Sequence, residues 1–262
     1  MTAAAETTVH PTALIAADAR IGDGVRIDAY AIVGENCVIG DGCVVGPRAT
    51  LERNVTLAPN VRIGIGSVIG GDPQDLKFGG EETYVEIGQG TVVREYATIN
   101  RGTSESKRTS VGRNCLIMSY VHLAHDCHVG NHVIISNGSQ FAGHVTVEDR
   151  ANISGLCVIH QFSRIGCYSF VGGGSRVPNN VPPYVMAVGS PLKLYGLNKV
   201  GLERNGFPKE TVQELKRAYR MLFMSELPMS KAIEQAAAEL KPIPEVQLLL
   251  DFMRRTGRGV SF

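Results

Sequence analysis

The chain has 262 residues, of which 44% are hydrophobic and 19% charged, as in globular domains and unlike disordered or fibrous chains. It contains 30 glycines, no tryptophan and only 6% aromatic residues, so aliphatic and small side chains must fill its core. The net charge of +1 disfavours a broad nucleic-acid-binding surface. No apolar run is long enough to span a membrane, and residues 1–10 lack the features of a signal peptide, so we expect a cytoplasmic protein.

An aliphatic residue recurs every six positions along most of the chain. The repeat runs from Val9 to Ile69, returns from Ile87 to Ile99, and continues from Val111 to Val177. A strand has period two and a helix 3.6, so neither produces this spacing. A parallel β-helix does, because each six-residue segment forms one flat face and points its aliphatic residue into a narrow interior. We therefore predict a left-handed parallel β-helix with three segments per coil, an exception to the right-handed crossover rule.

The remaining positions of the repeat support this fold. Glycine and asparagine recur where the corners need left-handed backbone angles. No C-x-x-C pair exists, so the cysteines do not have the spacing of a zinc site. We predict small apolar core residues at the five cysteines that share the fifth position of the repeat, which are Cys37, Cys43, Cys115, Cys127 and Cys157.

Two polar segments interrupt the repeat, at about residues 71–86 and 103–110, and we predict them to be loops on a rigid scaffold, where function concentrates. Prolines in the segment VPPYV end the repeat. Helical patterns follow at residues 212–222, 230–240 and 246–253. The predicted organisation is a β-helix over residues 1–195 and a helical domain over residues 196–262.

Histidines are concentrated in the last third of the region that carries the six-residue repeat. Residues 18 positions apart should stack on successive coils, about 4.8 Å apart. This register places His125 over Gly143 and Gln161, and it places Asp126 over His144. Six of the seven histidines lie between positions 122 and 160, namely His122, His125, His128, His132, His144 and His160.

The favoured interpretation of this corner is general base catalysis. Histidine titrates nearest neutral pH, so a neutral His125 can take a proton from a hydroxyl nucleophile. Asp126 would fix its tautomer, as the acid of a catalytic triad does. Gly143, with no side chain in the way, would offer its backbone N–H to a developing oxyanion.

Other interpretations stay open from the residues alone. A histidine-bound zinc occurs on this fold in γ-type carbonic anhydrases, although His122 and His125 fall on different positions of the repeat. A scaffold without catalytic activity is a third class, but it gives no reason to stack His, Asp and Gln at one corner. We interpret His128 and His132 as solvated corner residues and His10 as structural.

Several longer motifs identify a family. They are PQDLKFGGE (73–81), VEIG (85–88), INRGT (99–103), HLAHDCHVGN (122–131), FAGHV (141–145), VIHQF (158–162), VPPYV (181–185) and GLNKVGLERNGF (196–207). With these motifs the chain resembles, over essentially its whole length, the bacterial acyl-[acyl-carrier-protein]–UDP-N-acetylglucosamine O-acyltransferases of lipid A biosynthesis. The resemblance implies a homotrimer with active sites between subunits, and transfer of an (R)-3-hydroxyacyl chain from acyl carrier protein to the 3-hydroxyl of UDP-N-acetylglucosamine. It implies no metal and no cofactor.

The resemblance also implies roles for individual residues. His125 is similar to the family's general base, Asp126 to its orienting partner and Gly143 to its oxyanion donor. Gly173 matches a position at the far end of the acyl groove, and the first loop matches a segment that holds the glucosamine and its phosphates. The other implied substrate-binding residues are Gln74, Asp75 and Lys77 of that loop, His122, His144, His160 and Gln161 around the sugar and acyl chain, and Asn198 and Arg204 from the neighbouring subunit.

The chain departs from the family's pattern at three positions. Val200 stands where relatives have an acidic residue, Asn205 replaces an arginine, and Pro191 replaces a histidine near the groove end. The first two departures bear on the contacts with the nucleotide, and the third bears on the length of the acyl chain that is accepted. Some relatives accept a 3-amino sugar nucleotide, and this alternative also stays open. The N-acyltransferase acting later in the pathway is disfavoured, because it usually carries an extra N-terminal domain and we expect no room for one before Ile15.

Overall fold

A computed structural model describes residues 6–255 and 259–260. The structure does not describe residues 1–5, 256–258 and 261–262. The predicted domains and the signal-peptide prediction include some of these residues, and those parts lie outside the described residues. Among the described residues, no helix has the length and apolar character needed to cross a membrane.

Short strands of two to five residues follow one another through most of the described chain. Those before the first loop are β1 (Thr8–Val9), β2 (Leu14–Ile15), β3 (Arg20–Ile21), β4 (Arg26–Ile27), β5 (Ile32–Val33), β6 (Val38–Ile39), β7 (Val44–Val45), β8 (Thr50–Leu51), β9 (Val55–Leu57), β10 (Arg62–Ile63) and β11 (Val68–Gly71). Those between the two loops are β12 (Tyr84–Ile87), β13 (Val92–Val93) and β14 (Thr98–Asn100). Those after the second loop are β15 (Arg108–Val111), β16 (Leu116–Ile117), β17 (His122–Leu123), β18 (His128–Val129), β19 (Ile134–Ile135), β20 (Gln140–Phe141), β21 (Thr146–Val147), β22 (Asn152–Ile153), β23 (Val158–Ile159), β24 (Arg164–Ile165), β25 (Phe170–Val171), β26 (Arg176–Val177), β27 (Val185–Val188) and β28 (Lys193–Leu197).

The strands form three parallel sheets, because every third strand pairs with the next one above it. Sheet A begins β1-β4-β7, sheet B begins β2-β5-β8, and sheet C is β3-β6-β9-β12-β15-β18-β21-β24. Paired residues are usually 18 apart in sequence, as in Thr8 with Arg26 and His122 with Gln140. The predicted left-handed parallel β-helix is confirmed. The antiparallel pairing of β27 with β28, which closes sheet A, was not predicted.

The interior is built as the repeat predicts. From Val25 onward the aliphatic first position and the small fifth position are both buried, whereas in the first coil Val9 is exposed and Ile15 and Ile21 are half-buried. All six cysteines are buried and free. The corner residue has a positive φ in coil after coil. Glycine or asparagine fills many corners, but Tyr120, Asp126 and His144 also adopt this conformation, at φ 62°, 59° and 61°. Corner side chains are thus not limited to the two residue types that we predicted.

Both loops leave the same edge of the β-helix, between sheets B and C. Residues 72–83 form the first loop and residues 101–107 the second. Both are shorter than predicted, because Tyr84–Glu86 pair with Arg108–Ser110 as strand residues. Across the first loop the paired residues are 30 apart, and across the second they are 24 apart. Each insertion therefore lengthens its coil by a whole number of repeat segments, which explains why the register continues in phase.

Four helices follow the last strand in the described chain. They are α1 (Lys199–Arg204), α2 (Lys209–Phe223), α3 (Met229–Glu239) and α4 (Pro244–Arg254). The faces predicted for α2 and α4 are the buried ones, with Leu215 and Leu222 on α2 and Leu249 and Met253 on α4. Strand β28 ends two residues beyond the boundary predicted at residue 195.

Candidate active site

A histidine–aspartate pair lies at the corner between sheets B and C. His125 Nδ1 is 2.8 Å from Asp126 Oδ2, and Asp126 is 1% exposed. An ionised carboxylate can only accept hydrogen bonds, so the ring donates from Nδ1. The neutral ring then keeps Nε2 unprotonated. The structure therefore brings the predicted base and its predicted orienting acid into direct contact.

The second loop encloses the other side of the Asp126 carboxylate. Thr103 donates to it from its amide at 3.0 Å and from its hydroxyl at 2.8 Å. Ser106 donates from its amide at 3.3 Å and also from its hydroxyl. Burial raises the pKa of Asp126, but hydrogen bonds from Ser106, His125 and Thr103 outweigh this effect and hold the pKa at about 2. Asp126 is therefore ionised at neutral pH.

Thr103 and Ser106 were missed as individual residues by sequence reasoning. The available signal was the abundance of hydroxyl side chains in the loop segment TSESKRTS. Such side chains commonly donate to a nearby carboxylate, but nothing in the loop's sequence says which carboxylate it reaches.

Gly143 lies directly beneath the imidazole of His125. A Cβ atom built on Gly143 would be 2.5 Å from His125 Cε1 and 2.7 Å from Nε2, so only glycine leaves room for the ring. Among the described residues, no acceptor binds the Gly143 N–H. The predicted stacking of coils thus packs Gly143, whose backbone N–H has no acceptor among the described residues, against the ring of His125.

His144 completes the corner on the next coil. Its ring meets that of His125 edge to face at 5.0 Å and stacks on Phe162 at 4.5 Å. His144 Nε2 is 3.7 Å from Asp126 Oδ2, and its Nδ1 is 3.6 Å from a carboxylate oxygen of Glu105. The register predicted the position of His144 over Asp126, but not the contacts with Phe162 and Glu105.

These groups line a cavity of about 440 Å³ that also includes the first loop. Six of the residues that we predicted as site residues share it, which are Gln74, Asp75, Lys77, His125, His144 and Gln161. Residues that sequence reasoning missed also line it, which are Phe78, Glu81, Thr103, Ser104, Glu105 and Phe162.

His125, Asp126 and His144 also have ligand atoms within 4.8 Å of one another, as a metal site would require. However, the Asp126 oxygens already accept from Thr103, Ser106 and His125. A metal bound to Asp126 would have to displace some of these donors. This hydrogen bonding favours a general base over the zinc site considered from the sequence.

Three predicted residues do not line the cavity: His122 and His160 lie close to this corner, whereas Gly173 lies at another corner, between β25 of sheet A and β26 of sheet B. His122, on β17, has its Nδ1 2.7 Å from Thr98 Oγ1, and burial lowers its pKa. His160 has its Nδ1 3.0 Å from the Gln161 carbonyl oxygen. A Cβ atom on Gly173 would make ordinary contacts, the nearest 3.4 Å from the Gly155 carbonyl oxygen. Their predicted substrate roles stay predictions.

Asn198 and Arg204 line a second cavity, of about 500 Å³, with Val200 and Asn205. The Asn198 side chain caps α1 by accepting from the Gly201 amide at 3.1 Å, and it donates to the Tyr168 carbonyl at 2.9 Å. Within one chain, this second cavity has no lining residue in common with the cavity at His125.

The remaining histidines have separate surroundings. His128 is half-buried, with its Nδ1 2.9 Å from Ser110 Oγ. His132, interpreted from the sequence as a solvated corner residue, lines the second cavity. His10 is exposed and has its Nδ1 2.9 Å from Thr12 Oγ1.

Comparisons with known proteins agree with this architecture. A family model described as bacterial transferase hexapeptide (six repeats) matches residues 18–53 and 108–143. A second, described as domain 2 of UDP-N-acetylglucosamine O-acyltransferase, matches residues 180–261.

Relatives match over nearly the full length. An acyl-[acyl-carrier-protein]–UDP-N-acetylglucosamine O-acyltransferase of Myxococcus xanthus is 43% identical over 97% of this chain and 98% of its own. The crystal structure of a UDP-N-acetylglucosamine acyltransferase from Bacteroides fragilis has a TM-score of 0.95 at 38% identity, covering 97% of this chain and 100% of that one. The enzyme from Francisella novicida has a TM-score of 0.93 at 34% identity, covering 97% and 94%. The chain belongs to the acyl-[acyl-carrier-protein]–UDP-N-acetylglucosamine O-acyltransferase family.

Proposed function

We propose that the chain transfers an (R)-3-hydroxyacyl group from acyl carrier protein to the 3-hydroxyl of UDP-N-acetylglucosamine, the first step of lipid A biosynthesis. The observation that carries the proposal is the arrangement at one corner of His125, held at Nδ1 by Asp126, with Gly143 packed directly against its imidazole ring. An alcohol that attacks a thioester needs a base and an oxyanion donor, and it needs no redox cofactor.

The reaction uses these groups in sequence. His125 Nε2 accepts the proton of the sugar hydroxyl as its oxygen forms a bond to the thioester carbonyl carbon. The resulting oxyanion accepts a hydrogen bond from the Gly143 N–H. When the tetrahedral intermediate collapses, the C–S bond breaks, and the departing thiolate takes the proton from His125. The products are the sugar ester and the carrier thiol, and His125 returns to its neutral state.

The first loop is suited to bind the sugar nucleotide. Lys77 lines the same cavity as His125 and supplies a positive charge for the phosphates. Asp75 organises the loop, since its carboxylate accepts from the Lys77 amide at 3.0 Å. Gln74 and Gln161 also line the cavity and supply amide groups that can bind sugar hydroxyls.

A homotrimer is part of this proposal. Asn198 and Arg204 line a cavity apart from His125, so their predicted substrate contacts require a neighbouring subunit. Leu14, Ile32 and Val158 expose apolar side chains on the outer face of sheet B, where a second subunit could cover them. A cytoplasmic location stays a prediction.

Mass spectrometry of the products tests the proposed reaction. UDP-N-acetylglucosamine would be incubated with the enzyme and hydroxyacyl carrier proteins of several chain lengths, and a parallel reaction would use the 3-amino sugar nucleotide. We expect an ester on UDP-N-acetylglucosamine and a preferred chain length. Transfer to the 3-amino sugar alone would contradict the proposed acceptor, and stoichiometric zinc in active protein would contradict the metal-free mechanism.

A further inference from the structure

We propose that Arg101 is a positioning residue that holds the first loop in its substrate-binding shape and connects it to the His125–Asp126 pair. The inference rests on the proposed function, because it assigns the first loop to the sugar nucleotide. Arg101 directly follows strand β14, at the start of the second loop, and its side chain is 1% exposed.

The Arg101 side chain reaches into the root of the first loop. Its guanidinium donates to the Gly70 carbonyl and to the Asp72 carboxylate, and it lies 6.0 Å from the centre of the Phe78 ring. Its own amide donates to the Gly71 carbonyl at 2.9 Å. One residue therefore holds the beginning of the loop and an aromatic side chain near its middle.

The neighbouring residues extend this connection in both directions. Asn100 Nδ2 donates to the Asp72 carbonyl at 2.6 Å. Thr103, two residues beyond Arg101, donates to the Asp126 carboxylate. Between them, a Cβ atom on Gly102 would lie 2.3 Å from the Arg108 amide nitrogen, so this position is closely packed. The segment 100–103 is thus a short, constrained bridge between the substrate loop and the catalytic pair.

The buried charge indicates a role beyond packing. A buried guanidinium carries a large desolvation cost, and an apolar side chain of similar length usually fills such a space as well or better. Among the described residues, Asp72 is the one carboxylate in ion-pair contact with Arg101, and its own side chain is 65% exposed. Arg101 Nε and Asn100 Oδ1 are buried without a partner within the described chain. The role that we assign to this costly buried charge is to fix the position of the loop that carries Asp75 and Lys77.

Steady-state kinetics of Arg101→Met and Asp72→Asn test the proposal. We expect KM for the sugar nucleotide to rise about 10-fold or more in Arg101→Met and less in Asp72→Asn, with kcat within about threefold of wild type. Asp72→Asn is included because its exposed side chain can change without threatening the fold. The KM of Arg101→Lys for the sugar nucleotide should lie between the values for wild type and Arg101→Met, because lysine keeps the charge but not the planar set of N–H donors. The matched control is Arg20→Met, at an exposed arginine of strand β3.

Hydrogen exchange of residues 72–83 supplies a readout that needs no turnover. We expect faster exchange in this loop in Arg101→Met, with little change in the interior strands. An unchanged KM together with unchanged loop exchange would overturn the proposal. A fall in kcat in proportion to lost folded protein, at constant KM, would assign Arg101 a purely structural role. If wild-type enzyme fails to transfer acyl groups, the proposed function fails, while loop exchange still reports on the anchoring.

Discussion

At the scale of single residues, the site depends on one backbone conformation. Asp126 has φ 59°, a left-handed conformation that costs a non-glycine residue about 1–2 kcal/mol. Here it turns the carboxylate inward, where Thr103, Ser106 and His125 donate to it. His144 adopts the same conformation one coil later, at φ 61°. Corners that elsewhere only turn the chain thus present chemical groups to one cavity.

The proposed role of His125 as base predicts the effect of removing it. We expect His125→Ala to lower kcat by about 10²- to 10⁴-fold, because the proposed proton acceptor is removed, and to leave KM for the sugar nucleotide nearly unchanged. His128→Ala is a matched control, since His128 does not line the cavity. Rapid-quench measurement of product would report the chemical step. Retention of more than a few per cent of wild-type kcat would identify another base.

The pKa of Asp126 predicts a pH-dependent contribution to stability. Its value of about 2 in the folded chain is below the usual 3.8, so the ionised carboxylate stabilises the fold at neutral pH. This contribution is lost as the pH falls from about 5 towards 2, because the unfolded chain binds the proton first. We expect Asp126→Asn to be less stable than wild type at pH 7.

Urea unfolding at several pH values measures this contribution. The difference in unfolding free energy between wild type and Asp126→Asn should narrow by about 1 kcal/mol between pH 6 and pH 3. A difference that stays constant over this range would mean that Asp126 titrates at its ordinary pKa in the folded chain.

At the scale of elements, the two loops and the site share one edge of the β-helix. The first loop supplies Gln74, Asp75 and Lys77 to the cavity, and the second supplies the donors to Asp126. The strands between them hold both loops in a fixed register, with Val85 paired to Thr109. The parallel pairing therefore fixes where both loops begin and end relative to the corner that carries His125.

The position of Lys77 in the first loop predicts a binding defect. We expect Lys77→Ala to raise KM for the sugar nucleotide about 10-fold or more with little change in kcat, because the contact proposed for Lys77 is with the phosphates and not with the reacting atoms. Lys107→Ala, in the second loop but outside the cavity lining, is the control. A collapsed kcat at unchanged KM would instead place Lys77 at the chemical step.

At the scale of the whole molecule, one chain contains two separate cavities that the proposed reaction requires together. His125 lines the first, and Arg204, the last residue of α1, lines the second. A closed ring of three subunits could bring the first cavity of each subunit against the second cavity of its neighbour. The active site would then exist only in the assembly.

Mixing two inactive variants tests this arrangement. Trimers assembled from equal amounts of His125→Ala and Arg204→Ala chains should regain activity in about a quarter of their sites, since a site is complete where an intact His125 meets an intact Arg204 from the neighbour. The assay uses sugar nucleotide well below KM, where the Arg204 change is expressed most strongly. If both residues served a site within one chain, no mixture would exceed the separate variants.

The period of six was sufficient to predict the fold, the buried cysteines and the stacking of His125 on Gly143. Each of these depends on spacing along the chain, because a coil of fixed length brings positions one full coil apart into contact as neighbours. The two insertions preserve this relation on either side of the loops, since each adds a whole number of repeat segments.

Other features were decided only by the tertiary structure. Thr103 reaches Asp126 across 23 residues, and Arg101 reaches Gly70 across 31, both from segments without a period. Such contacts depend on how two irregular loops close over one corner, and no local pattern encodes that closure. By itself the sequence determined the scaffold and the corner that brings His125, Asp126 and His144 together, whereas the folded chain decided which loop residues hold Asp126 and line the adjoining cavity.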